Sequence, residues 1–240
     1  MARRNLVLPD EGAKAGTVRT MFGRIAARYD LMNRLMTFGR DQAWHREVIC
    51  QASLPAGGRL LDIGSGTGGI VGAALDRDPD LLAVAADFTI EMMTAGRARH
   101  TGRPILWCGA DALALPFRDA SFDAVTSGYL IRNVVDIRQA FAEQIRVLRP
   151  GGKVICLDTS PPPAGLLQPA VKAYLRFVIP LAGRLVSGDP YAYRYLPEST
   201  QHFHTPDELQ RIMQGAGLVN VRHRRLMLGT VVILQGIKPE

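Results

Sequence analysis

The chain has 240 residues, of which 47% are hydrophobic, so it can bury one good-sized core, and its composition excludes a generally disordered protein. The three cysteines, Cys50, Cys108 and Cys156, lack paired spacing, which excludes a disulfide framework and a cysteine-based zinc site. They favour a reducing compartment, and we expect a cytoplasmic protein of one domain, residues 1–240, without a metal.

The formal net charge of +7 indicates an anionic partner or serves only solubility. Basic residues are spread widely and no RNA-binding motif accompanies them, so we expect no nucleic-acid partner. An anionic membrane surface, the inner face of the cytoplasmic membrane, fits the charge better. The apolar stretch 171–186 is short and interrupted by charges, so it cannot span a bilayer and any membrane contact is expected to be peripheral.

The N-terminal part predicts helices ahead of any strand. Residues 1–16 mix charge, proline and glycine without periodicity and suggest a loose leader. From Thr17, apolar residues recur at three- and four-residue steps. A further helix is expected over 41–52, where Asp41 can cap the start, so N-terminal helices should occupy residues 17–54.

The following stretch, residues 59–69, joins a buried strand to a glycine-rich turn. An apolar run of strand length comes first, and the glycines behind it allow a sharp turn and a close approach to a ligand. Gly64, Gly66 and Gly69 satisfy the G-x-G-x-x-G fingerprint of dinucleotide sites, so NAD is one candidate. A turn with only a structural role is another.

The same turn also fits a different cofactor. Gly64, Gly66 and Gly68 form a G-x-G-x-G pattern that resembles motif I of S-adenosylmethionine (SAM) methyltransferases. Asp62, two residues earlier, suits the amino group of a methionine moiety and would repel a pyrophosphate. Asp87, at the end of the next strand, can accept ribose hydroxyls, which both cofactors contain.

Strand and helix patterns then alternate along the chain. Strands are expected at 81–87, 105–108, 122–127 and 153–158, with helices at 69–76, 90–100 and 137–148. This order predicts a parallel sheet covered on both faces, and two final runs around Gly229 should form an antiparallel hairpin. The predicted fold is α/β, a Rossmann-like sheet with a C-terminal hairpin. It resembles class I SAM methyltransferases more than dinucleotide folds.

Several further segments carry a more specific resemblance. They are Tyr-Asp-Leu-Met-Asn at 29–33, Ile-Arg-Asn-Val at 131–134, Arg-Pro-Gly-Gly at 149–152 and Tyr-Arg-Tyr-Leu-Pro-Glu-Ser at 193–199. Together they resemble the C-methyltransferases of ubiquinone and menaquinone biosynthesis, the UbiE family, from about Lys14 to the end. Two positions depart from the family pattern: Gly69 stands where Asp is common, and Gly128 where Ser is common.

The resemblance implies methyl transfer from SAM to a ring carbon of a polyprenylated quinol, most closely a demethylmenaquinol. Asp111 resembles the family's adenine-edge residue after the third strand, and Phe88 and Met92 either flank the adenine or pack in the core. The expected substrate-binding residues are Tyr29, Met32, Asn33, Asn133 and Tyr195. The expected cofactor-binding residues are Asp62, Gly64, Gly66, Thr67, Gly68, Asp87, Phe88, Met92, Asp111, Ala112, Ser127 and Gly128.

A ring carbon becomes nucleophilic when the neighbouring phenol, whose pKa is about 10, is ionised. Arg132, after the fourth strand, is the expected cation that favours the phenolate, and its alternative role is an ion pair with Asp136. Asp30, His202 and His204 are the available bases, and Asp30 and His202 are the expected ones. His202 precedes a predicted capping box that begins at Thr205, which also fits a surface loop.

The three prolines at 161–163 begin an expected helical lid, residues 161–205. It can cover the site, accept an isoprenoid tail or lie on a membrane. A homodimer is a further prediction. The alternatives in function are methylation of another hydrophobic small molecule, a non-catalytic quinol or lipid carrier, and RNA methylation, which lacks a catalytic motif here.

Overall fold

The computed structural model describes residues 11–181 and 191–240. Before the sheet lie helices α1 (Glu11–Ile25), α2 (Tyr29–Met36) and α3 (Asp41–Ala52). The alternating part comprises β1 (Arg59–Ile63), α4 (Gly69–Arg77), β2 (Leu82–Asp87), α5 (Ile90–Arg99), β3 (Ile105–Gly109), β4 (Phe122–Gly128), α6 (Ile137–Val147) and β5 (Leu148–Thr159). The last part contains α7 (Gln168–Ala173), α8 (Ala192–Gln201), α9 (Pro206–Gly215), β6 (Val219–Leu226) and β7 (Val231–Ile237).

The seven strands form one sheet in the order β3-β2-β1-β4-β5-β7-β6. Strands β1 to β5 pair in parallel, whereas β7 runs antiparallel to both β5 and β6. The predicted Rossmann-like sheet and its terminal hairpin are therefore confirmed. The carboxyl ends of β1, β2 and β4 meet at one edge, which is where open α/β sheets bind ligands.

Apolar side chains cover both faces of the sheet, as the continuous apolar character of the parallel strands predicts. A third cluster joins the N-terminal helices to the lid: Met21, Ile25 and Met32 pack with Leu175 and Tyr193. These described residues of the lid therefore belong to the core. Within the described ranges, no helix has the length and hydropathy needed to cross a membrane.

Helix α1 begins at Glu11, earlier than the expected start at Thr17. Gly12 and Gly16 explain why the sequence did not predict the first turns of this helix, since each glycine costs about 1 kcal/mol relative to alanine in a helix interior. The Lys14 ammonium, which donates to the Val134 carbonyl at 2.7 Å, ties this part of the helix to the rest of the fold and offsets part of the cost. The residues before Glu11 in the expected leader lie outside the described part.

The expected lid helix is present in a modified form. Helix α7 continues through a π-helical turn, Tyr174–Val178, and α8 follows after the segment 182–190, which lies outside the described residues. The capping box at Thr205 is confirmed: its hydroxyl accepts from the Glu208 amide, and the Glu208 carboxylate accepts from the Thr205 amide.

Candidate functional site

The glycine turn after β1 shapes the centre of the site. Gly64, Gly66 and Gly68 all have positive φ, at +63°, +55° and +78°, a region that favours glycine. A Cβ at Gly64 would also lie 2.8 Å from Cδ1 of Leu130. The turn therefore needs glycine for its backbone conformation and for close packing, as expected of a cradle for a ligand.

Asp87 is tied to this turn from the end of β2. Its Oδ2 accepts from the Gly66 amide and its Oδ1 from the Thr89 amide, both at 2.7 Å. Burial raises the pKa of Asp87, although these amide bonds oppose the shift. The carboxylate lines a cavity together with Phe88 and Met92, which we name the adenosine cavity because this lining matches the pocket expected for an adenosine.

Asp62 lies at the end of β1 and is 1% exposed. Its Oδ1 accepts from the Thr126 hydroxyl at 2.8 Å. Burial raises its pKa to about 7, with the Thr126 bond acting against the shift. A buried carboxylate with this pKa is suited to an ammonium ligand, because the ligand's positive charge favours ionisation.

A second, polar pocket extends from Asp62 under the N-terminal helices. Its lining includes Thr67, His45 and Arg99, and the buried Ser65 hydroxyl, which has no hydrogen-bond partner among the described residues. His45 and Arg99 were not expected from the sequence. The set of donors and the Asp62 carboxylate fit the carboxylate and amino groups of a methionine moiety, and we therefore name this pocket the methionine pocket.

Gly69, which stands where the family pattern commonly has Asp, lies where a side chain would not fit. A Cβ at Gly69 would lie 2.7 Å from Cε1 of His45, whose imidazole fills the space. Burial lowers the pKa of His45 to about 4, so this side chain is neutral at pH 7. Gly128, the second departure, lines the cavities beside Asp87 and Asp62, and its missing Cβ leaves room for Ile70.

An apolar cavity lies on the other side of the turn, between the N-terminal helices, the lid and the β6–β7 connection. Its lining includes Met36, Leu175, Ile179 and Val231. Tyr29 and Tyr129 line this apolar cavity and also the cavities beside Asp87 and Asp62, so the two tyrosines stand where the three cavities meet. Asn33 lines the apolar cavity and the methionine pocket.

Tyr129 was not expected from the sequence. It follows β4 directly and has φ +57°, an uncommon conformation for a bulky residue that is often found at functional sites. Two bonds hold its backbone: its amide donates to the Leu157 carbonyl at 2.7 Å, and its carbonyl accepts from Nδ2 of Asn133 at 2.8 Å. The Asn133 side chain also accepts from the Tyr195 hydroxyl at 3.1 Å. The side chains of these two expected substrate residues therefore help to hold the Tyr129 backbone in place.

Arg132 is buried in the wall of the apolar cavity. Its Nη1 donates to Oδ1 of Asp158 at 2.5 Å, and its guanidinium lies 5.2 Å from the centre of the Tyr129 ring. Burial lowers its pKa, but the Asp158 carboxylate more than offsets this and the net shift is upward. The alternative pairing with Asp136 is wrong: Asp136 instead caps α6 by accepting from the Gln139 amide.

Some expected residues lie elsewhere or have other contacts. Met32 is fully buried in the core between the N-terminal helices and the lid. The Ser127 hydroxyl contacts Sγ of Cys156, and the exposed Asp111 accepts from the Leu113 amide while its neighbour Ala112 lines the adenosine cavity. Gly68 serves as the N-cap residue of α4.

The two expected bases differ in position. His202 is exposed at the end of α8, where its Nδ1 contacts the Glu198 carbonyl at 2.9 Å, and it lines none of the cavities described above. Asp30 lines the methionine pocket but already accepts from the Thr67 hydroxyl and pairs with Arg99. Their assignment as a base stays a prediction.

Comparison with solved structures shows a shared fold. A SAM-dependent methyltransferase from Thermotoga maritima superposes with a TM-score of 0.65 at 19% identity, covering 92% of this chain and 99% of that chain. Phosphoethanolamine N-methyltransferase 2 of Haemonchus contortus, in complex with S-adenosyl-L-methionine, gives a TM-score of 0.62 at 15% identity. The match covers 82% of this chain and 53% of the Haemonchus protein.

Sequence comparison is more specific. The chain is 46% identical to demethylmenaquinone methyltransferase of Roseiflexus castenholzii over 97% of this chain and 98% of that protein. It is 44% identical to the ubiquinone/menaquinone biosynthesis C-methyltransferase UbiE of Desulfotalea psychrophila, over 94% and 92% of the two chains. The profile of the ubiE/COQ5 methyltransferase family matches residues 10–238. The chain therefore belongs to the ubiE/COQ5 methyltransferase family, and is an enzyme that uses SAM as its methyl donor.

Proposed function

We propose that this enzyme methylates a ring carbon of a reduced quinone, with a demethylmenaquinol as the substrate that fits best. The observation that carries the proposal is the position of Arg132. Its Nε is buried, has no hydrogen-bond partner among the described residues, and belongs to a side chain that lines the apolar cavity. An unpaired buried donor is costly, and a substrate oxygen would satisfy it. The names of relatives at 42% to 46% identity support the same acceptor.

The residues around the cavity explain how a phenolate is favoured. The Arg132 guanidinium lowers the pKa of a phenol oxygen beside it, which makes the adjacent ring carbon more nucleophilic. Burial raises the pKa of Tyr29 and of Tyr129, so both phenols stay protonated, and Tyr29 can donate a hydrogen bond to a ring oxygen. SAM, when bound, would supply an electrophilic methyl group: the bond from methyl to the ring carbon forms as the bond from sulfur to methyl breaks, S-adenosylhomocysteine is the leaving group, and the ring carbon then gives up its proton to water or a base. Tyr29 and Tyr129, at the junction of the cavities, align the ring and exclude water.

Label transfer tests this function. The purified enzyme is incubated with methyl-labelled SAM and with reduced short-tail analogues of a naphthoquinone and a benzoquinone. The proposal predicts label on a ring carbon, with a higher kcat/KM for the naphthoquinol. Tight SAM binding with label on neither ring would contradict a quinol acceptor and favour another hydrophobic small molecule.

The lid supports peripheral contact with a membrane, where a quinol with an isoprenoid tail resides. It combines basic residues, Lys172 and Arg176, with exposed apolar side chains, a pattern typical of segments that lie on anionic bilayers. Flotation with vesicles that contain anionic lipid should recover the protein at low salt, and vesicles of neutral lipid should recover less. Membrane contact would be contradicted if the protein floated with neither the anionic nor the neutral vesicles. The exposed apolar residues are Leu166, Leu167, Phe177, Val178 and Leu181.

A further inference from the structure

Asp158, which the sequence did not single out, holds Arg132 by two separate bonds. Its Oδ1 accepts from Nη1 of Arg132 at 2.5 Å, and its Oδ2 accepts from the Arg132 backbone amide at 3.2 Å. The Thr159 amide donates to Oδ1 at 2.7 Å and fixes the carboxylate in turn. One carboxylate thus fixes both the main chain and the guanidinium of the same residue.

Strand pairing gives Asp158 this position. Strands β4 and β5 are parallel with Gly128 opposite Leu157, so Asp158 lies next to the chain that leaves β4 and enters the Arg132 turn. The two side chains are 5% and 1% exposed, and water therefore competes little for their bonds. A buried guanidinium without this partner would be an uncompensated charge.

These contacts leave the Nε donor of the buried guanidinium unsatisfied. Asp158 occupies Nη1, the Tyr129 ring covers a face, and Nε lacks a partner among the described residues. We propose that Asp158 is a positioning residue for methyl transfer, which orients the Arg132 guanidinium so that Nε faces an oxygen of the acceptor ring. This inference rests on the proposed function. Asp158 does not touch the acceptor and acts through Arg132.

A double-mutant cycle separates this role from a structural one. The proteins are the wild type, Arg132→Gln, Asp158→Asn and the double variant. Asp158→Asn should lower kcat by about 100-fold, since a misplaced guanidinium loses the alignment of the reacting groups. The double variant should show no further loss beyond Arg132→Gln, and the Kd for SAM should stay within twofold of the wild type.

Asp158→Glu is the conservative variant and should recover at least part of the lost kcat. Asp123→Asn is a matched control near the start of β4, where Asp123 accepts from the Arg149 guanidinium at 2.5 Å and from the Arg59 amide at 2.8 Å. It should leave kcat within about twofold of the wild type. Melting temperatures of all variants identify any that fail to fold, and Asp158→Ser, which also removes the carboxylate, then completes the cycle in place of Asp158→Asn.

The affinity for 1-naphthol, a redox-inert ring probe, gives a readout that needs no turnover. Arg132→Gln, Asp158→Asn and the double variant should all weaken naphthol binding to the same extent. Additive losses in the cycle, or a parallel loss of SAM and naphthol affinity, would overturn the positioning role. A wild-type enzyme that binds naphthol but methylates no quinol would contradict the proposed function, while equal naphthol losses would still support the placement of Arg132 by Asp158.

Discussion

The Thr67 hydroxyl donates a 2.6 Å hydrogen bond to Oδ1 of Asp30, and this bond fastens helix α2 directly to the glycine turn. Arg99 pairs with Oδ2 of the same carboxylate at 2.6 Å. The N-terminal helices, the turn and α5 therefore meet at one side chain. Helix α2 also carries Tyr29 and Asn33, so a ligand in the methionine pocket and the position of the acceptor wall are physically linked.

Asp30→Asn should weaken SAM binding more than it slows chemistry. The amide keeps an acceptor for Thr67 but loses the charge that holds Arg99, so we expect the Kd for SAM to rise several-fold and kcat at saturating SAM to fall by less than about tenfold. Calorimetry and steady-state kinetics measure the two effects. If Asp30 is instead the base, kcat should fall by about 100-fold or more with SAM affinity unchanged.

The pKa of Asp62 predicts a pH dependence of SAM binding. Burial raises this pKa from 3.8 to about 7, so the folded protein without ligand retains a proton on Asp62 at lower pH. The unfolded chain, in which Asp62 has its ordinary pKa of 3.8, loses this proton at a lower pH than the folded protein. The contribution of Asp62 to the free energy of unfolding therefore falls as the pH rises from about 4 to about 7. An ammonium ligand prefers the ionised form, so SAM affinity should rise by up to about tenfold per pH unit below pH 7 and level off above it.

Calorimetric titrations at about pH 5.5, 6.5 and 8 check this dependence. Asp62→Asn should bind SAM weakly and with a much flatter pH profile. Asp87 stays in that variant, and burial raises its pKa as well, so any residual slope measures its contribution. A wild-type affinity that does not change across this range would contradict the assignment of Asp62 to the SAM amino group.

Tyr129 should matter for its ring more than for its hydroxyl. Tyr129→Phe keeps the aromatic face beside Arg132 and should retain activity within about fivefold, because such a contact at a desolvated site contributes about 2 kcal/mol and survives the change. Tyr129→Ala removes the face and opens the wall, and kcat should fall by about 100-fold with SAM still bound. Equal losses in both variants would assign the role to the hydroxyl.

Gly96 should be sensitive to a single added methyl group. A Cβ there would lie 2.3 Å from Cη2 of Trp107 and 3.1 Å from the carbonyl carbon of Thr67, so Gly96→Ala forces α5 away from the glycine turn. We expect a loss of about 1 to 3 kcal/mol in the free energy of unfolding, with weaker SAM binding. Gly16→Ala in α1 is the control, because a Cβ added at this position would have no neighbour within 4 Å. This variant should stabilise the protein by up to about 1 kcal/mol. Denaturant unfolding measures both.

The sequence predicted those features whose signal is local. The alternation of strand and helix patterns predicted the parallel sheet, and the carboxylates at the ends of β1 and β2 follow directly from strand periodicity. The terminal hairpin was readable because only a short glycine turn separates its strands. The G-x-G-x-G pattern predicted the turn at Gly64, Gly66 and Gly68, because a backbone with positive φ favours glycine and so leaves a pattern in the sequence.

The parts that the sequence missed depend on residues far apart along the chain. Arg132 and Asp158 meet only because β4 pairs with β5, whereas sequence proximity favoured Asp136, which caps a helix. His45 reaches the pocket from a helix before the sheet, and nothing in its own neighbourhood in the sequence indicates this. His202 was attractive as a base by residue type, but the end of α8 leaves it exposed.

The central claim, that Arg132 favours the ionised form of the acceptor, can be measured on a bound ring. The absorbance of 1-naphthol changes when its hydroxyl ionises, so a pH titration of the saturated complex gives the pKa of the bound phenol. We predict a pKa well below that of free naphthol in the wild type and a value near or above the free one in Arg132→Gln. The same pKa in both proteins would contradict the account.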